Sequence, residues 1–275
     1  MHRLGVVSFL NSKPLIEGLA DEPGVELVFD VPSRLPERLF TDRVDVALVP
    51  IVDVIRSGGS LRAVSSSCIA CDGETMTVRV FSQVPPDRMH TLAVDGDSHT
   101  SIALATVMWR ELYGRMLDLK PFDIRSTRAE DCESVLLIGD KVVNRPRGGF
   151  AYEVDLGAAW RQHTGLPFVF AVWAARTPET GGPSDEKLDE ISRLLDTARD
   201  HGCARAREIA QTEGPKVWWP TDLAIKYLTR CLIYRLDGRF VQGANLFARH
   251  CAAADIAPGN ARVIWPESLL EAAPA

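Results

Sequence analysis

Short continuous apolar runs alternate with amphipathic stretches along the chain. Residues 4–9 ("LGVVSF"), 24–31 ("GVELVFDV") and 44–50 ("VDVALVP") are apolar runs of strand length. Such runs suit strands buried on both faces, as in a parallel sheet. Between and after them the spacing predicts short helices: one opening at Pro14 and reaching Leu19, one over 35–40, and one over 51–55 behind Pro50. This strand–helix–strand order predicts an α/β fold with a doubly wound parallel sheet.

The pattern then changes. Residues 61–82 contain no stretch that suits a helix and read as antiparallel strands, and 85–90 read as a connection. A new unit opens with the strand "TLAVD" (91–95). The helix after it has Ser98 or Thr100 at its start, an apolar face over 103–112, and Gly114 past its end. "SVLLIGD" (134–140) is a further buried strand. A helix follows from Asp155 to Gly165, then the apolar strand "FVFAVWAA" (168–175) and, from Ser184 on, mostly helix. We therefore expect two lobes, with 85–171 inserted between the halves 1–84 and 172–275 of the first.

Composition narrows the function classes. The chain has 275 residues, 46% hydrophobic and 25% charged, with a formal net charge of -6. That balance argues against a nucleic-acid binder, which usually carries a basic face. No apolar run reaches bilayer length. With a strand starting at Leu4, no signal segment is expected, so the chain is expected in the cytoplasm with its six cysteines as thiols. Cys68 and Cys71 form a C-x-x-C without a second pair at zinc spacing, so no metal and no cofactor is expected.

Ligands of open α/β sheets bind beyond the carboxyl ends of the strands. The polar residues found there are Ser8, Asn11 and Ser12 after the first strand, then Thr75 and Thr77, then "GDSHTS" (96–101), then Gly139, Asp140 and Lys141. Pro50 closes the third strand. Ser98, His99, Thr100 and Ser101 offer hydroxyls and unpaired amides at a helix start, which suits an anion; the same residues also make an ordinary N-cap. Asn11 and Ser12 before Pro14 suit a turn equally well. Asp140 with Lys141 can be a surface ion pair, and "RPRGG" (145–149) a solvated loop. By these arguments alone the chain is a two-lobed α/β protein that binds a small anion in a cleft.

Taken together, "VSFLNSKPL" (7–15), "DVALVP" (45–50), "DGDSHTSIAL" (95–104), "LLIGDK" (136–141), "DLGAAWRQHTGLPFVFAVWA" (155–174) and "YLTRCLIYRLDGRFVQGANLF" (227–247) resemble the chorismate dehydratase family of the futalosine route to menaquinone. The resemblance covers nearly the whole chain. It implies a type II periplasmic-binding-protein-like fold and a hydro-lyase that removes water from chorismate to give 3-[(1-carboxyvinyl)oxy]benzoate. It further implies Asn11, Thr77 and Asp140 as catalytic candidates. Ser8, Ser12, Pro50, Ser98, His99, Thr100, Ser101 and Gly139 are the implied substrate-binding candidates. The implied partner is the small molecule chorismate, with no nucleic acid and no membrane, and a homodimer is allowed.

Two positions depart from the family pattern: Ile51 stands where relatives often have Ser, and Thr77 where they have Ser. A sister enzyme on the same fold, 1,4-dihydroxy-6-naphthoate synthase, carries a catalytic histidine just after the strand matching 135–140. Gly139 and Asp140 occupy that point here, which favours the dehydratase. The alternatives are that synthase and a non-catalytic small-anion-binding protein.

Overall fold

The computed structural model describes residues 1–96, 98–144 and 149–271. Eleven strands are found among them: β1 His2–Val6, β2 Val25–Phe29, β3 Val46–Pro50, β4 Leu61–Cys71, β5 Val78–Ser82, β6 Thr91–Val94, β7 Asp118–Pro121, β8 Ser134–Ile138, β9 Tyr152–Asp155, β10 Phe168–Arg176 and β11 Ile233–Arg235. They form two sheets, in the orders β11-β4-β10-β3-β1-β2 and β7-β6-β8-β5-β9. β1 pairs in parallel with β2 and β3, as the opening βαβαβ pattern predicts. β10 joins the first sheet antiparallel to both β3 and β4.

Sheet membership corrects the expected lobe boundaries. β5 falls inside the segment assigned to the first lobe, yet it pairs with β8 and β9 of the second sheet. β10 begins at Phe168, before the expected return at 172, and lies wholly in the first sheet. The chain thus leaves the first sheet after Cys71 and re-enters it at Phe168. Residues 61–82 are antiparallel strands as expected, but β4 and β5 belong to different sheets.

The crossing between the sheets is held by one carboxylate. Asp155 Oδ1 accepts from the amides of Thr75 (3.0 Å), Gly157 (3.1 Å) and Ala158 (3.0 Å). Its Oδ2 accepts from Thr75 Oγ1 (3.0 Å) and Met76 N (2.9 Å). The same residue therefore caps the helix Leu156–Thr164 and fixes the turn in which Met76 takes a left-handed φ of 67°. A Cβ at Gly157 would lie 2.4 Å from Thr75 Cγ2 and 2.5 Å from Gly73 O, so only glycine allows this approach.

Helix ends follow the sequence closely. Ser98 caps the helix His99–Tyr113, which stops at Gly114 in the left-handed region. Ser184 caps Asp185–Ala204. The first turn is different. β1 ends at Val6, and a 3-10 helix covers Leu10–Leu15 with Pro14 inside it, where a helix opening at Pro14 was expected. Ser12 Oγ lies 2.7 Å from Val7 O and 2.8 Å from Phe9 O, and this sharing of its hydrogen winds the chain earlier. No helix among the described residues is long and apolar enough to cross a membrane.

Candidate active site

A cavity of about 170 Å³ opens where the two sheets meet. Val7, Leu48, Ile69, Val78, Ile138 and Phe170 supply apolar wall. Polar groups enter from five places: Asn11 in the first turn, Thr75 and Thr77 in the crossing, Ser98, Thr100 and Ser101 at a helix start, Gly139, Asp140 and Lys141 after β8, and Trp219 with Tyr227 from the C-terminal part of the chain. Pro50 also lines it. Eight of the eleven expected site residues are therefore brought together: Asn11, Pro50, Thr77, Ser98, Thr100, Ser101, Gly139 and Asp140.

Three are not, and each has a physical reason. Ser8 is exposed in the turn after β1 and does not reach the wall. Ser12 is fully buried, and its hydroxyl serves the carbonyls of Val7 and Phe9. His99 Nδ1 lies 2.8 Å from Asp53 Oδ2, so its ring pairs with the helix Ile51–Arg56 and lies off the cavity. Arg145–Gly148, most of the basic loop noted in the sequence, and Asp97 lie outside the described residues.

A network that the sequence analysis missed ties the polar groups together. Thr77 Oγ1 donates to the Tyr227 phenol at 2.9 Å. Asn11 Oδ1 is shut off from water and has no partner among the described residues. Burial pushes the Tyr227 phenol up to about 12, only partly offset by the neighbouring Thr77 and Asn11 side chains. Trp219 stacks on Tyr227, with ring centroids 5.0 Å apart and 29° between planes. Its Nε1 donates to Asp140 Oδ1 at 2.5 Å.

Asp140 has its carboxyl raised by burial, with the Trp219 bond acting the other way. It follows Gly139, whose φ of 55° with ψ of -129° suits no side chain. Gly139 N donates to Thr77 O at 2.8 Å, which ties Thr77 to the corner that carries Asp140. Lys141 forms an ion pair with Asp95 at the same rim.

The helix-start cluster is more self-contained. Ser98 Oγ donates to Ser101 Oγ (2.7 Å) and accepts from Ser101 N (3.3 Å). Thr100 Oγ1 donates to Phe170 O (3.1 Å) and accepts from Val52 N (3.4 Å). The helix's free first-turn amides and its dipole remain for an anion.

Sequence reasoning named neither Tyr227 nor Trp219 as site residues. The "WWP" at 218–220 was the available signal, since a large aromatic with a polar N–H often packs at a binding site. Trp219 is 3% exposed and Trp218 84%. No histidine lines the cavity among the described residues. The cysteines of the C-x-x-C are both buried, and burial raises Cys68 well above its ordinary value and Cys71 to about 12. No cluster of three metal-ligating residues occurs among the described residues.

The model of a family described as menaquinone biosynthesis matches residues 2–253. The chain belongs to this menaquinone biosynthesis family. A curated relative from Thermus thermophilus, a chorismate dehydratase, is 28% identical over 231 residues, covering 78% of this chain and 82% of that one. Among solved structures, an Archaeoglobus fulgidus protein aligns with a TM-score of 0.73 at 13% identity, over 93% of this chain and 98% of that one. The periplasmic aliphatic sulphonate binding protein of Escherichia coli aligns with a TM-score of 0.65 at 12% identity, over 94% of each chain. The fold of this family member is thus periplasmic-binding-protein-like, with the cavity between its two sheets.

Proposed function

We propose that the chain is a chorismate dehydratase, a hydro-lyase that converts chorismate to 3-[(1-carboxyvinyl)oxy]benzoate. Membership of the menaquinone biosynthesis family and the named Thermus relative support this reading. The observation that carries it is the meeting of Asn11, from the turn after β1, and Thr77, just before β5, on the wall of one apolar cavity, where Thr77 Oγ1 donates to the Tyr227 phenol. Both are among the residues the family resemblance picks out.

The chemistry follows from the substrate. The ring carboxylate acidifies the C3 proton through a double bond, and loss of that proton gives a dienolate. Departure of the C4 hydroxyl then makes the ring aromatic. Proton and hydroxyl lie on the same face, which suits a stepwise route. The apolar wall excludes water and strengthens each polar contact. First-turn amides of the helix His99–Tyr113 can hold one carboxylate, and the Asn11 side chain, on the cavity wall, can orient the C4 hydroxyl. The base is either the substrate's own enolpyruvyl carboxylate, which lies near C3, or Asp140. A cytoplasmic location goes with this reading.

Incubation of the purified chain with chorismate tests it. The expected result is a product lighter by one water, seen by mass spectrometry, with the ultraviolet absorbance of a benzoate. Tight binding of chorismate without turnover would instead favour the small-anion-binding alternative.

A further inference from the structure

The Tyr227 phenol oxygen accepts a hydrogen bond from Thr77 Oγ1 at 2.9 Å and donates to no described residue. A phenol has one hydrogen to give. With Thr77 as the donor of that pair, the phenol hydrogen is left over. Tyr227 is 3% exposed and lines the cavity, so the cavity is the direction open to it. The residue also begins a π-helical turn, Tyr227–Cys231. Such turns are rare and recur at functional sites. A phenol that accepts from Thr77 and stacks on Trp219 is fixed in position and ready to give up its hydrogen, because that donor stabilises the phenolate left behind.

We propose that Tyr227 is the acid that protonates the hydroxyl leaving C4. This inference rests on the dehydratase reading. As the dienolate collapses, its electron pair completes the aromatic ring, and the C4–O bond breaks with its pair going to oxygen. The phenol hydrogen moves to that oxygen and water departs. The phenolate keeps the hydrogen bond from Thr77. The hydrogen taken from C3 by the base returns to Tyr227 through solvent after the product leaves. The net change is loss of one water, with no oxidant or reductant. Burial holds the phenol protonated until the step, and hydroxide is a far stronger base than the phenolate. Thr77 then acts through Tyr227: its hydroxyl hydrogen already points at the phenol.

Two substrates test this: chorismate, and its analogue with fluorine in place of the C4 hydroxyl, whose leaving group needs no proton. Tyr227→Phe is expected to lower the single-turnover rate on chorismate about 100-fold or more, and to leave the rate on the fluoro analogue within about threefold. Rates are expressed per folded molecule from parallel melting curves. In the unaltered chain, a solvent deuterium isotope effect is expected on chorismate and not on the analogue, which keeps the test available if the variant fails to fold. Equal losses on both substrates would make Tyr227 a mere support for Asn11 and Thr77 and overturn the proposal. So would native turnover in Tyr227→Phe, or an isotope effect absent from both substrates. If the unaltered chain does not dehydrate chorismate at all, the dehydratase reading falls and this proposal with it.

Discussion

Two polar clusters line the same cavity and are built from the same kinds of residue. At the start of the helix His99–Tyr113, the hydroxyls of Ser98, Thr100 and Ser101 are engaged with one another or with the backbone. Elsewhere on the wall, Thr77 donates to Tyr227, and Asn11 keeps an unpartnered carbonyl. Both sets lie where ligands of α/β sheets bind. They differ in what hydrogen-bonding capacity remains after folding. A hydroxyl already satisfied by backbone mainly stabilises structure, whereas a buried acceptor without a partner is costly unless a ligand fills it.

Substitutions can break this contrast. After Tyr227→Phe, the largest effect is expected from Asn11→Ala, with turnover lowered at least about tenfold, roughly 1.4 kcal/mol of barrier. Melting temperature and single-turnover rates on saturating chorismate, measured together, check it. Lowered melting with native turnover would make Asn11 a structural turn residue and erase the difference between the clusters.

Next comes Thr100→Val. It removes the hydroxyl that joins Val52 N to Phe170 O, and should lower stability by about 1–3 kcal/mol while changing the rate far less than Asn11→Ala does. Denaturant titration measures the first effect and chorismate kinetics the second. Ser12→Ala sharpens the point inside the first turn. It should destabilise by about 1 kcal/mol and leave turnover per folded molecule unchanged, although Ser12 adjoins Asn11. A collapse of turnover in that variant would mean the turn cannot be divided in this way.

Asp140 gives a pH signature. Its folded carboxyl is raised by burial, so the folded chain binds more protons than the unfolded chain between the ordinary carboxylate range and the folded value. Stability contributed by this group is present at low pH and lost as pH rises through that window. Asp140→Asn should therefore gain stability relative to the native chain as pH increases from acid to neutral. Denaturation midpoints across that range check this, and parallel curves for the two proteins would contradict it. The smallest effect is expected for Cys68→Ser with Cys71→Ser. Both thiols are buried away from the cavity wall, so chorismate turnover per folded molecule should stay near native, and zinc analysis of the native chain should find no stoichiometric metal.

The residues differ in how legible they were. The Asn11 turn, the helix cap at Ser98 and the Gly139–Asp140 corner were visible because strand ends and caps have local signatures. Ser12 and His99 looked equally suitable. Each was removed from the site by a partner, two backbone carbonyls in one case and Asp53 in the other, that spacing along the chain does not reveal. Tyr227 lies 150 residues from Thr77, and a single tyrosine in a helical stretch carries no local mark of that contact.

By itself the sequence determined the order of strands and helices, the parallel start, the helix caps and the family, since these depend on apolar periodicity, on residues that satisfy end groups, and on motifs read in line. The tertiary structure alone decided which sheet received β5 and β10, and which polar groups kept a free valence. An apolar run says that a strand is buried, not which neighbour its backbone will bond. A polar side chain is available to a ligand only when every protein atom around it has already chosen another partner, and those atoms come from segments far apart in the chain.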